Sequence, residues 1–160
     1  MASEETVVRQ QIAGSGLREV ADLFGGRKVL HAVIDSQLAA HDVLAQGLPG
    51  GALAELFANI RTIAPGEISR AVGVSLRTVQ RRSNKPKLRL SVEQSGRAWK
   101  FAEILAKATA VLGGQEAAER WLTSPAMAID RRRPVDLLTS PAGVELVEQL
   151  LGRMEYGVYT

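Results

Sequence analysis

Apolar residues recur at three- and four-residue intervals along most of this chain, the period of helices that bury one side. The longest run opens at Ser91, where Ser91 and Gln94 form a capping-box signature. Its apolar face then passes through Ala98, Phe101, Ala102, Leu105, Ala108 and Leu112, and Gly113-Gly114 closes it. A second stripe, Val144, Val147, Leu150, Leu151 and Met154, predicts a helix from about Pro141 to Met154. Between them, Glu116 to Leu122 reads as a short helix. Upstream, Ser36 is placed to cap a helix that runs to Gln46 and stops at Gly47, and another covers Ala52 to Ile60. Leu17 to Phe24 reads as one short helix stopped by Gly25-Gly26. Only KVLHAVI (28–34) looks β-rich, and periodicity alone leaves it open.

These segments predict an all-α fold. Residues 1–16 are polar and read as a mobile N-terminus, 17–90 as a helix-turn-helix region, and 91–160 as a smaller helical domain. The phrase LTSPA occurs at 122–126 and again at 138–142. In each copy a hydroxyl precedes a proline suited to a first helical turn, so both read as helix-opening punctuation.

GEISRAVGVSLRTVQRR (66–82) carries the sharpest local signal. Ile68 and Val72 fall on one side of a short helix, and small Ser69 permits close packing. Gly73 stands where the chain must turn, Val74 plugs that turn, Ser75 caps a second helix and Val79 points back to the core. Arg77, Thr78, Gln80 and Arg81 are left facing outward. In a helix-turn-helix this second helix enters the major groove, where arginine reads guanine edges or grips phosphates. Ser75, Arg77, Thr78, Gln80, Arg81 and Lys85 are therefore the expected DNA contacts, with Lys87 and Arg89 beside them. The bland alternative is a pair of bundle helices with arginines on the wet face. Arg82 fills a position that such units usually give to an apolar residue.

Charge favours the DNA reading. The chain is +3 overall, but residues 61–90 hold eight basic residues and one acidic, a local +7. The rest, with twelve basic (20 − 8) and sixteen acidic (17 − 1), carries −4. A basic middle in an acidic chain suits a local polyanion-binding face. There is no cysteine, hence no disulfide and no thiolate metal site. His31 and His41 make no metal-ligand pattern, and no cofactor is expected. No Ser-His-Asp set, HExxH or phosphate-binding loop is present, so catalysis is not expected. The acidic N-terminus does not read as a signal peptide, and no run is long enough to span a membrane. A cytoplasmic protein is the expectation.

The chain closes on RMEYGVYT, which contains both tyrosines of a sequence with 4% aromatics. Either the rings fold back and seal the bundle, or they serve a partner, since tyrosine offers large contact area at modest rotamer cost. Arg131-Arg132-Arg133 is either a solvated loop or a clamp for acidic groups. Trp99 and Trp121 read as core anchors, Trp121 the surer.

Taken together, GVSLRTVQRR, Arg120-Trp121-Leu122, Arg133-Pro134 with Asp136-Leu137-Leu138, Gly143, and the tail from Gly152 to Tyr159 resemble antitoxins of the Xre/MbcA/ParS type. The likeness covers about residues 25 to 160. It implies an Xre-like helix-turn-helix, a C-terminal toxin-binding domain, a homodimer, and repression of its own operon. It also implies a partner, a RES-domain toxin that consumes NAD or transfers ADP-ribose and whose active-site cleft the C-terminal domain covers. On that reading Arg131, Arg132, Arg133, Arg153, Glu155, Tyr156 and Tyr159 are the toxin-binding residues. The sequence departs from the family at Asp130-Arg131, where a glycine pair is usual, and at Gly96. A stand-alone helix-turn-helix regulator with a helical dimerisation domain is the alternative; in a third reading the helix-turn-helix has become a dimer surface.

Overall fold

The computed structural model describes residues 3–157, apart from the side chains of residues 7–15. The fold is all-α, and no strand occurs among the described residues. The helices are α1 (Glu4–Leu23), α2 (Arg27–Leu30), α3 (Gln37–Gln46), α4 (Gly50–Asn59), α5 (Pro65–Val72), α6 (Leu76–Asn84), α7 (Val92–Leu112), α8 (Gln115–Leu122), α9 (Pro134–Leu137) and α10 (Pro141–Glu155). A single 3-10 turn covers Met127–Ile129.

α7 is the mast of the molecule, packing against α1, α3, α5, α8 and α10. Its composition explains how one helix serves so many neighbours. Ser95, Ala98, Ala102, Ala106 and Ala108 are small and buried, which lets neighbouring helices come close. Trp99, Phe101, Ile104 and Leu105 fill the spaces between them. The Trp99 ring stacks on Phe24 of the α1 end, with centroids 5.5 Å apart and planes 2° from parallel. The expected order of the tryptophans is therefore reversed. Trp99 is 3% exposed, while Trp121 is only half-buried. The face of α7 that holds Trp99 is covered by α1, a long-range partner that helix periodicity on α7 does not reveal.

Most helix ends follow the local chemistry read from sequence. Ser36, Ser75, Ser91 and Ser140 each accept a backbone N–H three residues on, at 3.0–3.1 Å. Gln94 completes the capping box on α7. Gly47, Gly73 and Gly113 end their helices at positive φ.

Two expectations are corrected and one open reading is decided. The first helix begins at Glu4, not Leu17, with Glu4 and Glu5 at its positive end. KVLHAVI forms the one-turn α2 and then an irregular segment anchored by buried Leu30 and Ile34. Without a neighbouring strand, extended backbone has no ladder to complete, so helical turns win. Both LTSPA copies follow a helix, Thr139 of the second donating to the Asp136 carbonyl at 3.4 Å behind α9, but only the second opens an α-helix. In the first, Thr123 and Ser124 donate back to the carbonyls of Glu119 (2.9 Å) and Arg120 (2.6 Å) and close α8. In the second, Ser140 opens α10 with Pro141 in its first turn. What differs is Gly143, packed so tightly that a Cβ there would strike the carbonyl of Leu137.

Candidate functional site

The helix-turn-helix is built as its sequence predicts. Ile68, Ala71, Val72 and Val74 are buried, and Gly73 takes φ 73°. Ser69 Oγ donates to the Val74 carbonyl at 2.6 Å, tying the turn to the helix before it. Ser75 Oγ accepts from the Thr78 N–H and pairs with the Thr78 hydroxyl at 3.0 Å, so both side chains are committed to the cap. Arg77, Gln80, Arg81 and Lys85 are exposed, and none of the three cations makes an ion pair among the described residues. Arg89 donates to the Gly47 carbonyl at 2.7 Å, a structural contact that fixes the segment after α6.

Arg82, the residue at odds with the pattern, has a local explanation. α6 packs chiefly on α4, and a Cβ on Gly50 would lie 2.9 Å from the Arg82 Cβ. The bare backbone of Gly50 leaves room for the stem of Arg82, which is half-buried. The first-turn N–H groups of α4 are satisfied by the segment after α6, Gly50 bonding Leu88 O at 2.8 Å and Gly51 bonding Pro86 O at 3.1 Å. The glycine pair is thus a packing device as well as a helix start.

Long-range contacts of Glu119 and Arg97, which the sequence did not mark, and of Arg133, expected instead at a partner, lock this unit onto the C-terminal helices. Glu119 of α8 is 1% exposed. Its Oε1 accepts the N–H groups of Arg61 and Thr62, both at 2.8 Å, and lies 3.4 Å from that of Ile63. Its Oε2 accepts from Gln115 Nε2 at 3.1 Å, and the same amide donates to the Asn59 carbonyl at 2.6 Å. The loop that leads into α5 is therefore folded around one carboxylate. At the other end of α5, Arg97 donates to the carbonyls of Ala71 (3.1 Å) and Arg70 (3.4 Å), a cation at a helix C-terminus. Arg133 bridges to Glu67 at 2.6 Å and makes a bidentate pair with Asp136 at 2.9 Å. These bonds to Asp136 and Glu67 push its guanidinium further above its ordinary pKa. No local sequence signal marks these long-range contacts.

The proposed partner-facing residues are distributed over a loop and a helix end. Arg131 and Arg132 are exposed and make no ion pair among the described residues, in contrast to Arg133. Asp130 and Arg131 both sit at positive φ, 55° and 60°. The tight loop is closed by Ala126 N–H to Arg132 O and Arg131 N–H to Ala126 O, each 3.0 Å. Here the sequence that lacks a glycine pair still adopts a glycine-like backbone. Arg153 and Glu155 are exposed on the last turns of α10, and Tyr156 is 82% exposed. Tyr159 lies outside the described residues. His31 and His41 are exposed, and no metal-binding cluster occurs among the described residues. Among those residues no helix is long and apolar enough to cross a membrane.

A groove of about 550 Å³ separates α7 from the start of α10, lined by Val92, Gly96, Phe101, Leu138, Pro141 and Val144. Lys100 at its edge bonds Glu103 (2.8 Å) and Glu148 (3.1 Å). Burial works to lower its pKa, but the two carboxylates together outweigh that and hold it above its usual value.

The structure thus joins a helix-turn-helix to a helical domain whose last helix ends in an exposed aromatic residue. Residues 39–103 match the antitoxin Xre-like helix-turn-helix domain, and residues 107–157 match the antitoxin Xre/MbcA/ParS C-terminal toxin-binding domain. Both matches run into α7, so one continuous helix joins the two regions. Antitoxin Xre of Yersinia enterocolitica is 32% identical over 100 residues, 62% of this chain and 67% of that protein. Antitoxin Xre of Photorhabdus laumondii is 26% identical over 72% of this chain and 78% of its own length. Antitoxin Xre of Pseudomonas putida is 33% identical over 52% of each. The chain belongs to the Xre/MbcA/ParS antitoxin family.

Proposed function

We propose that this chain is the antitoxin of a type II toxin–antitoxin pair, and that it silences a RES-class toxin by covering the cleft where NAD is consumed or ADP-ribose transferred. The observation that carries the reading is the end of α10. Tyr156 stands 82% exposed at the close of the region that matches a toxin-binding domain, so this ring does not seal its own bundle. A large rigid ring beside Arg153 has the composition of an interface anchor. Arg131 and Arg132 supply a second, cationic contact for acidic groups on the toxin, and Glu155 and Tyr159 extend the first.

The same chain represses its own operon through α6. Arg77, Gln80 and Arg81 face solvent, while Ser75 and Thr78 hold the helix start rigid. Two copies on a symmetric operator, with half-sites about 34 Å apart, suit this arrangement, and the protein then acts in the cytoplasm beside its DNA. Co-expression of the chain with a candidate RES-domain toxin, followed by capture on a tag, tests the reading. Recovery of the toxin in stoichiometric amount supports it. Capture of promoter DNA without any toxin would instead favour a stand-alone transcription regulator.

A further inference from the structure

The two faces of α10 are chemically unlike. Gly143, Val147, Leu150 and Leu151 are buried against the bundle. On the outer side Leu146 is 49% exposed and Tyr156 82%. Between them Gln149, Gly152, Arg153 and Tyr156 line a shallow hollow of about 410 Å³. Helical spacing sets all five residues in one stripe.

Gly152 is the anomaly in that stripe. It lies within the helix, does not have a positive φ, and a Cβ built on it would meet nothing within 4 Å. Neither backbone conformation nor packing inside the chain asks for glycine here, and alanine would hold the helix better. Gly143 on the same helix makes the contrast, because its missing Cβ is required by the Leu137 carbonyl.

The geometry points to Gly152 as the place where the toxin makes its closest approach to α10. The bare helix backbone seats a main-chain segment of the toxin, with Tyr156 and Arg153 as flanking anchors. The hollow lies at the end of the 107–157 match to a toxin-binding domain, which identifies its occupant. An amphipathic helix whose outer face enters a partner groove is a recurring mode of recognition. Tyrosine and arginine are the residues that most often carry the energy in such contacts. The inference rests on the toxin-binding reading.

The test titrates the purified full chain against a candidate RES-domain toxin in catalytically inactivated form, with thermal melts of the free chain alongside. Gly152→Ala should melt about 2–4 °C above the parent and bind the toxin at least tenfold more weakly, with Gly152→Val weaker still. Gly66→Ala, at an equally open helix glycine in α5, should bind as the parent does. Equal affinities for parent and Gly152→Ala overturn the inference while the toxin-binding reading stands. A lowered melting temperature for Gly152→Ala overturns it too, by giving the glycine an internal purpose. So does a matching loss in Gly66→Ala. No binding by the parent chain removes both the inference and the reading beneath it.

Discussion

Replacing Glu119 by glutamine keeps the shape of the side chain and removes its charge, which isolates what the buried carboxylate does. Oε1 takes the N–H groups of Arg61 and Thr62, both at 2.8 Å, and the Thr62 hydroxyl at 3.3 Å. If the glutamine oxygen keeps those donors, its new NH2 faces the Gln115 amide, which is itself a donor. Turning Gln115 over gives no relief, because its other bond runs to the Asn59 carbonyl at 2.6 Å. One bond is therefore lost outright and the rest fall from charge-assisted to neutral. The lost bond to a charged group contributes about 1.5–3 kcal/mol, and the smaller desolvation cost of a neutral amide offsets much of the weakening of the bonds that remain, so Glu119→Gln should cost about 2–3 kcal/mol in all. Glu119→Ala, which also leaves buried N–H groups unpaired and a cavity behind, should cost about 3–5 kcal/mol, a large share of a typical domain's stability. Urea denaturation followed by helical circular dichroism measures both. A Glu119→Gln midpoint within about 0.5 kcal/mol of the parent, below any of the bond energies above, would refute the claim that this carboxylate pins the helix-turn-helix to the C-terminal helices.

Gly73→Ala combines a left-handed β-carbon with displacement of Arg97 and should cost about 2–3 kcal/mol; in an Arg97→Ala background the penalty should shrink, as chemical denaturation of the double-mutant cycle would record. Arg131→Gly relieves a positive-φ side chain and should raise stability by about 0.5–1 kcal/mol, while Arg132→Gly, at an ordinary φ, should not; thermal melts distinguish them. Arg77→Glu with Arg81→Glu touches only exposed positions, so the melt should move little while promoter retention in a gel-shift assay is lost. The parent's affinity should fall steeply with salt, by about 0.9 log units per log unit of salt for each phosphate contacted. Unchanged promoter retention in the double variant would mean that α6 is a protein surface.

What the sequence made legible was local. A cap needs only a serine and an N–H three residues on, and a left-handed stop needs only a glycine, so the ends of α3, α5, α6 and α7 could be read directly. KVLHAVI stayed open because the choice between strand and helix depends on whether a partner strand exists elsewhere. The two LTSPA segments carry the same letters, yet only the second opens an α-helix, a difference the five residues themselves do not contain. Glu119 and Arg97 left no trace, and Arg133 was legible only as one of a run of arginines or a family motif. Each is an ordinary charged residue on a helix or loop, and the bonds that tie each across the fold run to atoms 26 or more positions away. At the site, the outward residues of α6 followed from spacing, whereas Arg133's internal engagement and the open face at Gly152 emerged only from packing.

In the proposed function, the end of α10 and the residues after it close the active site of a RES-domain toxin. The measurement that tests it most directly is NAD consumption by the RES-domain toxin, titrated with the full chain and with a chain ending at Glu155. The full chain should abolish turnover at stoichiometric ratio, and the shortened chain, which keeps α10 but lacks Tyr156 and Tyr159, should leave most of it intact. Equal inhibition by both would contradict the claim and move the inhibitory contact to the body of the helical domain.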